Sequence, residues 1–231
     1  DTDAKVNTFT VGNVDIELVE NFGDNDPDTP EELMPATGSA QNGTLENGVT
    51  KEVSVKNTGS KPAYVRVHLA FPAAMDDGNP NFASYNNFLH WNFTKESYAD
   101  GQWNWSTTVD GSNYPGNGGA WNYYETTVDG EEYAVYVATY RSPLAPNAET
   151  ELALDKVYLD PTVDAVKNAD GTITYTDTKG NSVTLTEDEA SEIKVLVYAE
   201  GTQTETFENA YDALNTAFGV PGTYNPWAKA E

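Results

Sequence analysis

Nine residues from Ala63 to Phe71, reading AYVRVHLAF, carry apolar side chains at every odd position. A period of two is the repeat of a pleated strand with one face turned inward; on a helix it would scatter those side chains around the cylinder. The same alternation recurs along the chain. Val14, Ile16 and Leu18 alternate with Asp15 and Glu17, Val53 and Val55 bracket Ser54, and Ile193, Val195 and Val197 continue the series. Longer strands are expected over Glu132–Tyr140 and Glu151–Leu159, on either side of the Pro143–Pro146 turn, and shorter ones near 88–94 and 121–128. On this pattern Val65, Val67, Leu69, Val135, Val137, Val195 and Val197 face the core. His68, between Val67 and Leu69, falls on the outer face of its strand.

Helical spacing is confined to the C-terminal part. Phe207, Ala210, Tyr211, Leu214 and Phe218 share one face of a helix over 205–218, and Gly219 supplies the stop. Thr186 and Glu189 have capping-box spacing for one further helical turn. Residues 21–48 are rich in Asp, Gly, Asn and Pro and read as loop, and 166–190 read as an excursion with a hairpin around Asp177–Asn181. The expected fold is all-β: a jelly-roll sandwich of two antiparallel sheets with one or two short helices. Residues 1–12 form an N-terminal strand segment, and 13–231 form a single domain carrying the excursion.

The surface is strongly acidic. There are 37 acidic and 12 basic residues, for a net charge of -25. Phosphate backbones and anionic bilayers are repelled by such a surface, so nucleic acid and membrane are poor partners. No apolar run approaches the roughly 18 residues that span a bilayer, so no membrane insertion is expected. Cysteine is absent, which leaves no disulfide framework and no thiolate metal site. The chain opens at Asp1, without Met, on strand-like residues, as the mature end of an exported protein would. Extracellular matrix or the cell surface is the expected location. No cofactor is expected; Ca²⁺ is the one ion the acidic surface could hold, and a solvated acidic loop is the favoured reading of its best candidate. Asp24, Asp26 and Asp28 resemble the opening of a calcium loop, but Thr29 and Pro35 stand at its sixth and twelfth positions, where Gly and Glu belong.

Catalytic constellations are missing. The chain has only two histidines, His68 and His90, and they do not form an H-E-x-x-H pair. No Gly-x-Ser-x-Gly elbow is present to expose a serine, and no Gly-rich phosphate loop follows a strand. The chain is therefore not expected to be an enzyme. Trp and Tyr residues over 91–124 could stack on sugars, although rings of this size are expected to fill the core. Sequons stand at Asn42, Asn92 and Asn104.

Several segments, in the right order along the chain, resemble the TasA/camelysin-type family of exported biofilm-fibre and surface proteins. Asp1–Val14, reading DTDAKVNTFTVGNV, resembles the mature start of these proteins. Val53-Ser54-Val55-Lys56-Asn57-Thr58-Gly59-Ser60, followed by Ala63-Tyr64-Val65-Arg66-Val67, is similar to their strand pair. Ser142–Thr150 resembles their "P-L-x-P-G-x-x-T" turn, with Asn147 where Gly is usual, and Tyr198–Gln203 resembles their closing strand before the helix. The resemblance implies a jelly roll that builds biofilm matrix or surface fibres. Some members, the camelysins, are described as metalloproteases, but no zinc motif appears in this chain.

The N-terminal residues suit the fibre reading on physical grounds. An open sandwich has edges that invite another strand. A detachable strand from a neighbour can fill one, and head-to-tail donation builds a fibre when the rotation does not close a ring. Residues 1–11 are extended, alternating and free of Pro, and Gly12 permits a change of direction. The expected donor-strand residues are Ala4, Val6, Thr8, Phe9, Val11 and Gly12, and the expected partner is another copy of the chain in a homopolymer. The alternatives are a monomeric surface adhesin or carbohydrate-binding module and, further off, a camelysin-like metalloprotease.

Overall fold

The computed structural model describes residues 7–10, 14–21, 35–37, 46–76, 88–91, 101–109, 121–191 and 194–228. Its strands are β1 (Asn7–Thr10), β2 (Ile16–Asn21), β3 (Val49–Asn57), β4 (Ala63–Pro72), β5 (Leu89–Trp91), β6 (Trp103–Asn104), β7 (Tyr123–Val128), β8 (Glu131–Tyr140), β9 (Leu154–Leu159), β10 (Asp164–Lys167), β11 (Ile173–Thr176) and β12 (Ser182–Leu185). Helix α1 (Glu187–Ser191) follows, then β13 (Leu196–Gln203) and helix α2 (Ala210–Phe218). The alternating segment Ala63–Phe71 is the middle of the first sheet, whose order is β1-β13-β4-β8-β6, with β7 also paired to β8. The second sheet has the order β2-β3-β9-β5. The fold is an all-β sandwich.

The odd-numbered residues of β4 point between the sheets, as the alternation requires. Val65, Val67, Leu69 and Phe71 lie in one core cluster with Ile16, Val53, Val55, Leu154 and Leu159 from the second sheet. Val195 and Val197 join them. The strand β8 departs from expectation. Its inward residues are Ala134, Tyr136 and Ala138. Val135 is buried on the opposite face with Ala70, Tyr133, Tyr198 and Trp227. Val137 pairs in register with His68 and is likewise fully buried. The Val residues of β8 are therefore interior, but under a second layer rather than between the sheets.

That second layer is α2 and the segment after it. Asn209 caps the helix, its side chain accepting from the Asp212 N–H at 2.9 Å. Gly219 ends it at φ +102°, a left-handed conformation that favours glycine, with its N–H on the Asn215 carbonyl. Ala210, Ala213 and Leu214 pack on Tyr64 from the outer face of β4, flanked by Phe207 and Phe218.

The excursion is a three-stranded sheet, β10-β11-β12. Ile173 and Tyr175 join the main core, so the excursion is part of the same packed body. The capping box before α1 forms in both directions: Thr186 N donates to Glu189 Oε2 at 2.8 Å, and Glu189 N to Thr186 Oγ1 at 3.2 Å. Asn147, where the turn motif usually carries Gly, has φ 61°, and Asn is among the few side chains that tolerate this region. Asn57 stitches that turn to the β3–β4 turn. It donates to the Lys61 and Leu144 carbonyls at 2.8 and 2.9 Å and accepts from Gly59 N.

Candidate functional site

β1 is an edge of the first sheet and β2 an edge of the second, and the two strands are in contact. Among the described strand pairs β1–β13 is the parallel one, with Asn7, Thr8, Phe9 and Thr10 beside Tyr198, Ala199, Glu200 and Gly201. Of the expected donor-strand residues, Thr8 and Phe9 therefore lie on the edge of the chain's own first sheet. Ala4, Val6, Val11 and Gly12 lie outside the described residues. With β1 in place β13 is an interior strand; without it β13 would be the edge.

Opposite the end of β1, Gly201 lets the two sheets close. A Cβ there would meet Ile16 Cγ2 at 2.9 Å and Cδ1 at 3.1 Å. Gly201→Ala is expected to destabilise the domain by about 1–3 kcal/mol through overpacking. A double-mutant cycle with Ile16→Ala checks the cause: the cost should shrink once the branched Ile16 side chain is gone, and an unchanged cost would place the strain elsewhere.

The outward face of β13 carries a buried ionic cluster. Glu200 and His68 are 0% exposed and Arg66 2%. Arg66 and His68 stand two apart on β4, hence on one face, and pair in register with Glu200 and Tyr198 of β13. Arg66 Nε donates to Glu200 Oε2. Its Nη1 donates to Asn215 Oδ1 at 2.8 Å, and its Nη2 to the Gly219 carbonyl at 2.9 Å and Tyr224 Oη at 2.7 Å. The Tyr224 hydroxyl in turn donates to Glu200 Oε1. One guanidinium thus ties two strands, a helix, its cap and the C-terminal segment.

Donor and acceptor capacities set the His68 tautomer. Trp227 Nε1–H can only donate, and it does so to Tyr124 Oη at 3.0 Å. Tyr124 then donates its own hydroxyl to His68 Nδ1, at 2.9 Å. An ionised carboxylate can only accept, so the ring proton sits on Nε2, 3.2 Å from Glu200 Oε2, and Nδ1 is the acceptor. Burial pushes the His68 imidazole below its ordinary value, against the opposing pull of Glu200, so the ring is neutral. Burial would raise the Glu200 carboxyl, but the hydrogen bonds from His68 and the Tyr224 hydroxyl and the charge of Arg66 outweigh it and keep the carboxylate ionised. Burial also raises the Tyr124 and Tyr224 hydroxyls, which remain protonated donors.

Every member of this cluster is a hydrogen-bonded partner of another, and its central side chains are sealed from solvent. It can hold elements together; it offers no open face to a substrate. His68 was expected on an outer face, and it is, but that face is covered by Tyr224 and Trp227. Neither Arg66 nor Glu200 was singled out by sequence. The available signal was a pair of polar residues two apart on each of two strands, Arg66 with His68 and Tyr198 with Glu200, with opposite charges.

The remaining candidates disperse. His90 bonds Asp160 at 2.7 Å on the outside of the second sheet. Burial opposes ionisation of Asp160, but hydrogen bonds from His90 and Thr162 bring it down to about 2. Among the described residues no group of three or more His, Cys, Asp or Glu is placed to hold a metal ion. Asp24, Asp26 and Asp28 lie outside the described residues, as do Asn42 and Asn92. Asn104 is buried, its side chain donating to the Thr108 carbonyl at 2.7 Å and accepting from Ser106 N. Trp91, Trp103, Trp105 and Trp121 are at most 7% exposed, and Trp91 stacks on Phe71 at 5.2 Å. These four rings fill the core as expected. No protein-family model matches the chain, and no curated protein matches it.

Proposed function

We propose that this chain is the structural subunit of an extracellular filament, assembled head to tail when the N-terminal strand of one copy pairs with β13 of the next. The observation that carries this reading is β1 itself: four residues at the N-terminal side of the chain, on a sheet edge, in parallel. A strand this short exchanges few hydrogen bonds, each worth about 0.5–1.5 kcal/mol net. Its release and replacement by an identical strand therefore costs little beyond the entropy of association. The same pairs are re-made between copies, and a donor and acceptor on different surfaces propagate rather than close.

The neighbouring edge is less receptive. Glu20 shares the inward face of β2 with Ile16 and Leu18, and an inward carboxylate blunts an edge strand against pairing. Burial raises that carboxyl to about 7, with Lys51 opposing. The net charge of -25 keeps free copies apart at low salt, which favours assembly where ions screen the surface. The resemblance of the N-terminal segment and the strand-pair motif to TasA/camelysin-type proteins points the same way.

Purified protein should form uniform fibres by negative-stain microscopy, and protein lacking residues 1–11 should remain a folded monomer. The absence of native cysteine makes a cross-link unambiguous. Thr8 and Ala199 are register partners, within the Cα separation a disulfide spans. Thr8→Cys with Ala199→Cys, oxidised before assembly, should lock the strand at home and block fibres. Oxidised within fibres, it should give a ladder of covalent multimers on a non-reducing gel. Fibres from the truncated protein, or only intrachain disulfides within fibres, would overturn the proposal.

A further inference from the structure

Strand exchange demands that β13 wait as an open edge between the departure of one strand and the arrival of the next. Edge strands fray, and a strand that slips by one residue turns every side chain to the wrong face. The outward face of β13 carries groups that resist both. Glu200 pairs in register with Arg66 of β4, and Tyr198 with His68. Any slip moves Glu200 off the guanidinium and leaves two buried charges unpaired, an arrangement that specifies register strongly. None of these bonds involves β1. They run instead to β4, to Asn215 of α2, to the Gly219 carbonyl and to Tyr224. Trp227 seals the far side, packed with Ala70, Tyr133, Val135 and Tyr198. The inward face offers Val197, Ala199 and Gly201, and Gly201 lies against Ile16.

We infer that Arg66, Glu200 and Tyr224, closed over by residues 219–228, are positioning residues that hold β13 in register with β4 without help from β1, so that the acceptor edge is preset. The use made of that edge rests on the strand-exchange reading; the holding of β13 does not. Tyr224 is the sensitive point, since one hydroxyl accepts from Arg66 and donates to Glu200.

Hydrogen exchange on protein lacking residues 1–11 tests this directly. The β13 amides that face β4 should stay as protected as in the full chain, to within about threefold. Adding Tyr224→Phe to the truncated protein should speed their exchange at least tenfold while the amides of β3 and β9 keep theirs. Asn215→Ala, which removes one acceptor of Arg66, is the milder variant should Tyr224→Phe not fold, and should act in the same direction. Added peptide of sequence 1–11 should bind the truncated protein at least tenfold more tightly than its Tyr224→Phe form. Free exchange of those β13 amides with the cluster intact, or full protection after Tyr224→Phe or Asn215→Ala, would overturn the inference. Protection that responds as expected, together with no peptide binding to any form, would sustain the clamp and sink the strand-exchange reading alone.

Discussion

Arg66→Met should lower the melting temperature by roughly 6–20 °C. The substitution preserves much of the side chain's volume and removes its charge, leaving Glu200 ionised and 0% exposed beside a neutral His68. Breaking a buried ion pair from one side costs about 3–5 kcal/mol, and in a domain of this size each kcal/mol shifts the midpoint by about 2–4 °C. Asn215 Oδ1 and the Gly219 carbonyl lose their donor at the same time, which loosens α2 and the segment beyond it. Arg66→Met combined with Glu200→Met should recover much of the loss, because no unpaired charge remains. Scanning calorimetry of the three proteins separates the two effects. A single variant as stable as the parent would mean that water reaches the cluster.

Val67→Asp should abolish cooperative folding at neutral pH. Val67 is 0% exposed on the central strand of the first sheet, pairing in register with Ala199 on one side and Ala138 on the other. Those neighbours are alanines of the same inward face, so the carboxylate enters a surface with no donor at its register positions. An isolated buried ion costs several kcal/mol even after relaxation, a large part of the roughly 5–15 kcal/mol that holds a domain together. Loss of the near-ultraviolet circular dichroism signal, dominated here by core Trp and Tyr rings, is the readout. A variant that melts like the parent would mean that the faces of β4 are inverted.

Local pattern alone determined a good deal of this molecule. The alternation in β4 and the stop at Gly219 were legible because they depend on residues a few positions apart. So were the capping box at Thr186 and Glu189 and the hairpin of β11 and β12. Asn147 in the place of a turn glycine has a local cause, since its φ of 61° is a property of one residue. The core role of Trp91, Trp103, Trp105 and Trp121 follows from ring size.

Other features depended on elements far apart in the chain. Period-two patterning separates two faces but cannot say what covers the second. On the first sheet that cover is α2 with Tyr224 and Trp227, more than 130 residues after Arg66 and His68. That is why Val135 and Val137 are buried on the unexpected side, and why Arg66, His68 and Glu200, polar by composition, are core residues by position. The place of residues 7–10 is of the same kind. Their extended character is written in the sequence, but a strand's own pattern does not name its partner; only the tertiary structure set it beside β13, because main-chain hydrogen bonds pair any extended segment with whichever edge is within reach.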